Sequence, residues 1–171
     1  MVVAAAVAAV TIVTVSTVTA ASGAGPDPDQ QPSAVEDFSY PDADRILADY
    51  GVQLISGDGH LLVADSCPRR ADTVGVILVK STSPVGPAKD GWICFRVTGP
   101  GGHLNLKIPA VYAITGDGLA EGPGHKIRAE LSTDAGVHTT VDVGPKETVQ
   151  VGIAASPPGA PTVLLQLDAS S

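Results

Sequence analysis

The stretch LISGDGHLLVADSC, Leu54 to Cys67, gathers Asp58, His60, Asp65 and Cys67 within a short span. A carboxylate beside an imidazole is the minimum equipment for general acid–base chemistry. Asp58, His60 and Asp65 are therefore the first candidates for the site of an extracellular hydrolase. Parity argues against all three acting together: His60 and Asp65 have an odd separation, which puts them on opposite faces of a regular strand. Gly57-Asp58-Gly59 fits a hairpin turn between QLIS and HLLVAD, its aspartate bonding local amides and its glycines taking positive φ. The tripeptide recurs at Gly116-Asp117-Gly118 after YAIT. Paired carboxylates for glycoside cleavage, or a calcium loop, would use such a repeat. One aspartate per loop is too few oxygen donors for calcium, and a second turn is the expectation.

Other reactive constellations are missing from the chain. The four histidines, His60, His103, His125 and His138, have no HxH or HExxH spacing, so no metal site is expected, and no cofactor-binding motif is present. GxSxG, GDSGG and SxxK are absent, and with them the local signatures of an activated serine. No catalytic residue is assigned. For binding, the candidates are Arg69 and Arg70 in CPRR, which offer guanidinium groups to an anionic partner, and Trp92, an outer-face ring of the kind that covers a sugar. Aromatic content is only 4%, which leaves little for a sugar platform once the core is filled. A third use of SCPRRAD is as a tethered basic loop presented to a trypsin-like pocket, which would make the protein a secreted protease inhibitor.

With 10 Lys+Arg against 18 Asp+Glu, the net charge of -8 repels phosphate backbones and anionic lipid, which excludes nucleic acid as an expected partner. Residues 1–24, MVVAAAVAAVTIVTVSTVTAASGA, form an uncharged apolar run ending in small residues, as a signal peptide does; an uncleaved membrane anchor is the alternative, and only then would a membrane be a partner. Residues 25–37 are rich in Pro, Asp and Gln and are expected to be a disordered linker. The remainder, 38–171, is long enough for one domain. Its two cysteines, Cys67 and Cys94, outside the cytosol, are expected to form one disulfide.

The elements that must position these residues follow from periodicity. In SYPDADRILADYG, Ser39 can cap a short helix with Asp42 three residues on, Ile46, Leu47 and Tyr50 share a face, and Gly51 stops it. From Val52 the period becomes two, with turn clusters at the spacing of an all-β domain. Strands are expected near 52–56, 60–65, 74–80, 92–98, 103–108, 112–115, 126–132, 137–143, 148–152 and 162–168. In HLNLKI, Leu104, Leu106 and Ile108 point inward and Asn105 and Lys107 outward. In KIRAEL, Ile127, Ala129 and Leu131 oppose Lys126, Arg128 and Glu130. The same parity puts His103 and His138 on the solvent face. VGVILVK and TVLLQL are continuous apolar runs and so are expected to be central, covered strands. LSTDAGVHTTV reads as a hairpin turning at Gly136, with meander connections elsewhere. Ile93, Phe95 and Val97 reach the core, which leaves Cys94 on the other face beside Trp92, with the SCPRRAD loop pinned over it.

The segments DRILADYGVQLISGDGHLLVADSC and WICFRVTGPGGHLNLKIPAVYAITGDG, spanning roughly Tyr40 to Asp168, resemble a group of small secreted proteins of unknown function from high-GC Gram-positive bacteria. The resemblance implies export and a compact β domain; it carries over no functional residues. The expectation is an all-β protein: a β-sandwich of two mainly antiparallel sheets with one short N-terminal helix. Its expected role is that of a secreted, non-enzymatic binding or envelope-associated accessory protein, whose partner would be an extracellular protein or a cell-wall component.

Overall fold

The two-residue alternation is realised as nine strands: β1 Gln53–Gly57, β2 Leu61–Val63, β3 Ile77–Ser81, β4 Trp92–Val97, β5 Gly101–Thr115, β6 Lys126–Thr133, β7 His138–Val143, β8 Thr148–Gln150 and β9 Thr162–Ser170. They are seen in a computed structural model that describes residues 38–68, 75–118 and 122–171. The apolar N-terminal run, the linker, and Arg69 and Arg70 lie outside the described residues. Among the described residues, no helix is long and apolar enough to cross a membrane.

All strand pairs are antiparallel and belong to one hydrogen-bonded sheet, in the order β2-β4-β3-β5-β9-β6-β7, with β1 and β8 also on β5. The two separate sheets expected from the sequence are thus found as a single sheet continuous through β5. The expected strands 103–108 and 112–115 merge into this one strand of 15 residues. Its first part pairs with β1 and β9, and its last part with β3 and β8. The change of neighbours falls at Pro109-Ala110, where Pro109 has no amide to give a ladder and Ala110 takes φ 51°. Side chains from both parts enter one buried cluster, among them Val79, Phe95, Leu106, Leu131 and Leu167.

Several local expectations shift. The helix α1, Ala43–Tyr50, starts after Asp42, which makes no side-chain cap, while Ser39 forms a bridge with Ser56 instead. Leu47 is exposed, so the buried face of α1 rests on Ile46, with Tyr50 half-covered. Gly51 closes the helix at φ 68°, its N–H on Leu47 O. The first Gly-Asp-Gly is not a hairpin: β1 pairs with β5 and β2 with β4, so the turn carries the chain between different neighbours. The same holds for the Thr98-Gly99-Pro100 turn, because β4 and β5 are not paired, and the meander is limited to β3–β4 and β6–β7. The latter hairpin turns at Gly136, φ 77°, with Gly136 N–H on Thr133 O at 2.9 Å. The described part of VGVILVK, from Gly75, is central as expected, β3 lying buried between β4 and β5, and β9 is central in the order although its Val163 and Leu165 are half-exposed.

On the opposite side of β3 and β4, Val76, Leu78 and the fully buried Cys94 form a small second cluster, packed by Ala64, Cys67 and Trp92. Cys67 and Cys94 are disulfide-bonded with Cα atoms 5.5 Å apart. The bridge fastens the chain after β2 to the outer face of β4, as the parity of Ile93, Phe95 and Val97 requires. Tyr40 fastens the other side of β2: its buried hydroxyl accepts the Val63 N–H at 2.8 Å, on the edge that β4 leaves open.

Two outcomes follow. The Cys67–Cys94 bridge closes a loop of separation 27, so Cys67→Ser with Cys94→Ser, or reduction, lowers unfolding stability by about 3.5 kcal/mol in the chain-entropy model, read from urea midpoints with and without reductant. Burial pushes the Tyr40 hydroxyl above its ordinary value, an effect partly offset by the Val63 N–H. A phenol with a raised folded pKa binds its proton more tightly when folded, so its contribution is complete below about pH 10 and is lost as pH rises through the folded value. Tyr40→Phe costs about 1 kcal/mol at neutral pH by stranding the Val63 N–H and flattens the alkaline loss of stability; an unchanged alkaline slope would refute the assignment.

Candidate functional site

The outward positions of β1, β5, β9, β6 and β7 come into line because the registers between these strands are in phase over most of their length. One row runs His103, Asp168, Arg128, Asp142 across β5, β9, β6 and β7. The next runs Ser56, Asn105, Gln166, Glu130, Thr140 across all five strands. Neighbouring strands lie roughly 4.8 Å apart, so each row is a ladder of donors and acceptors at that spacing.

Side-chain bonds run along and between these rows. His103 Nδ1 bonds Asp168 Oδ1 at 2.6 Å, and Gln166 Nε2 donates to Asp168 Oδ2 at 2.6 Å. Arg128 Nε donates to Asp142 Oδ1 at 3.0 Å, His138 Nδ1 bonds Glu130 Oε1 at 2.6 Å, and Asn105 Nδ2 donates to Ser56 Oγ at 3.0 Å. His103 and His138 each spend Nδ1 on a carboxylate, so the carboxylate fixes the orientation of each ring. The pairs stay wet, the Arg128 and Asp142 side chains being 66% and 75% exposed, so each contributes little to stability and remains open to a ligand. An open groove of about 630 Å³ lies at one end of this face, where β6 starts and β7 and β9 end, lined by Lys126, Arg128, Asp142, Pro145, Glu147 and Asp168.

The residues singled out from the opening motif do not assemble. Asp58 spends both oxygens on backbone, Oδ1 accepting His60 N–H and Oδ2 accepting His103 N–H, each at 2.9 Å. It therefore fixes the start of β5 and the position of His103, which is the local role expected of a turn aspartate. His60 lies against Gly99 and Gly102 at one end of β2. Asp65 accepts the Tyr50 hydroxyl at 3.1 Å beyond the other end, and burial, with that bond second, raises the Tyr50 pKa. Trp92 stands beside the disulfide with Lys80 Nζ 4.8 Å from its ring centroid, so one face of the ring already carries a cation. Among the described residues, no three His, Cys, Asp or Glu side chains are placed to hold a metal ion.

The second Gly-Asp-Gly is a turn of a different kind. Asp117 accepts His125 N–H at 2.7 Å and bonds His125 Nδ1 at 2.6 Å, while His125 Nε2 lies 3.1 Å from Gly99 O. The imidazole thus clips the connection after β5 to the turn before it. The Asp117 side chain is 7% exposed, so this aspartate is a buried fastening. Gly116 and Gly118 do not take positive φ as expected; side chains there would collide with the backbone of Pro145.

Sequence reasoning placed Asn105, Lys126, Arg128, Glu130, His103 and His138 on a wet face but passed over Asp142, Gln166 and Asp168. The signal for the last two was available in LLQLDAS, where Gln166 and Asp168 alternate with Leu165, Leu167 and Ala169. No protein-family model matches the chain, and comparison with curated proteins finds no match.

If Asp117 is a fastening and Asp58 a surface turn, their deletions differ. Asp117→Ala strands two donors in a nearly closed site and costs about 2 to 3 kcal/mol, whereas Asp58→Ala, whose amides reach water, costs about 1 kcal/mol. Urea unfolding of the two variants checks the order, and equal losses would contradict it.

Proposed function

We propose that the protein is an exported, non-enzymatic binding domain whose ligand lies along the polar ladder of β1, β5, β9, β6 and β7. The observation that carries this reading is the unbroken row His103-Asp168-Arg128-Asp142, open to solvent beside a groove of about 630 Å³. Alternating donors and acceptors fit a hydroxyl-rich polymer such as a cell-wall glycan better than an anion, because every cation on the row already faces a carboxylate. With a cation over the Trp92 ring and aromatic residues scarce, recognition rests on hydrogen bonds and calls for a long ligand that sums many weak contacts.

The Cys67–Cys94 disulfide supports an oxidising compartment, and the apolar N-terminal run supports export. The same reading takes the sheet as folded over at Pro109-Ala110 into a two-layer sandwich, which agrees with one core fed from both parts of β5. The hydrolase reading loses support, since both Asp58 oxygens accept backbone amides and Asp65 bonds Tyr50 beyond the other end of β2 from His60.

The test is co-sedimentation of the protein with isolated cell-wall polymer. Binding is expected, and Arg128→Ala combined with Asn105→Ala is expected to weaken it about tenfold, the loss of roughly 1.4 kcal/mol, with unfolding stability little changed. Absence of association with any wall fraction, or wild-type binding by the double variant, would overturn the reading.

A further inference from the structure

The sheet's outer strands are unequally protected. On β2, only three residues long, the Val63 N–H is taken by Tyr40. Along β1 the segment 38–40 is bonded, Tyr40 N–H on Ile55 O and Gly57 N–H on Phe38 O. β8 is again only three residues. β7 is different: six residues, HTTVDV, in unbroken register with β6, with no proline, lysine or bulge to discourage a further strand.

The hairpin geometry fixes which β7 groups face outward. Thr133 N–H donates to Val137 O at 3.0 Å, so Thr133 and Val137 are a hydrogen-bonded pair. Bonded pairs recur every second residue of an antiparallel ladder. Thr139, Val141 and Val143 therefore bond β6, and the N–H and C=O of His138, Thr140 and Asp142 point away from it. Among the described residues, none takes these groups. Below the same edge is an apolar pocket of about 230 Å³, lined by Leu131, Thr139, Val141, Val151, Ala155 and Thr162.

We propose that β7 pairs antiparallel with β7 of a second copy, Thr140 opposite Thr140. This register brings all three outward-facing residues of each copy into bonded pairs, about six hydrogen bonds in all. It also sets His138 opposite Asp142 of the second copy, twice by symmetry. His138 keeps Nδ1 on Glu130 within its own chain. Registers displaced by two residues lose a bonded pair, and displacement by four opposes Asp142 to Asp142 or His138 to His138. Pairing places Val141 against Thr139 of the second copy over the mouth of the apolar pocket, and it joins the two polar faces into one.

The experiment is sedimentation equilibrium on the purified protein, with two variants. Thr140→Pro removes only an outward N–H, a position where an edge strand tolerates proline; it should leave the circular dichroism unchanged and weaken association at least tenfold. Thr140→Cys should form an interchain disulfide on mild oxidation far faster than Asp134→Cys at the exposed hairpin tip. A wild type that stays monomeric at all concentrations would overturn the proposal. So would a dimer unaffected by Thr140→Pro, equal crosslinking by the two cysteine variants, or protection of the His138, Thr140 and Asp142 amides from hydrogen exchange in a monomer, which would assign the edge to the chain's own residues.

Discussion

β5 is the constraint on which the rest of the molecule depends. Among the described residues, no other strand has four partners, and no other spans both parts of the sheet. Its passage from one set of neighbours to the other needs a bend in mid-strand, and KIPAVY supplies one: Pro109 cannot donate, and Ala110 adopts a left-handed φ that costs an alanine about 1 kcal/mol or more. That cost is offset because the carbonyls turned out by the bend are collected. Pro109 O accepts Ser81 Oγ–H at 2.6 Å, Ala110 O accepts Thr82 N–H at 3.0 Å, and Val111 O accepts Thr162 Oγ1–H at 2.9 Å. Two elements distant in sequence, the end of β3 and the start of β9, are tied to one irregularity, so the bend sets where they enter the sheet.

This dependence separates what was legible in the residues from what was not. Strand positions are local: the alternation in HLNLKI and KIRAEL and the Thr133-to-Gly136 turn each act within a few residues, and each places its element correctly, whereas Pro109 bends its strand without ending it. Neighbour relations are not local. Nothing in LLV announces that Leu61 lies opposite Val97, because that register is set by the core packing of Phe95 and by the disulfide beyond the strand. The hairpin expected at Gly57-Asp58-Gly59 fails for the same reason. A turn tripeptide specifies that the chain reverses, whereas whether the flanking strands pair is decided by the longer ladder that β5 offers to β1.

The candidate site shows the same division. The faces of Arg128, Glu130 and Asn105 were legible from parity alone. Their union into rows was not, since Asp168 reaches His103 and Arg128 only through two long-range registers on either side of β9. Conversely, the motif with the densest chemistry in the sequence is structural. Asp58, His60 and Asp65 are close along the chain because a turn and a short strand separate them, and the three-residue β2 puts His60 and Asp65 beyond its two ends.

The two aspartates of the repeated tripeptide show how burial, and not residue type, assigns the role. Asp58 and Asp117 each accept two hydrogen bonds from the segments they join, and each stabilises a crossing near the Gly99 turn. Asp117 is closed from water and fastened to a ring that itself reaches Gly99, so it acts as part of the framework. Asp58 is exposed and holds the amide of His103, the first residue of the polar row. The first tripeptide therefore reaches the polar row only by placing His103, and the row itself is made by side chains on four strands that the turn helps to align.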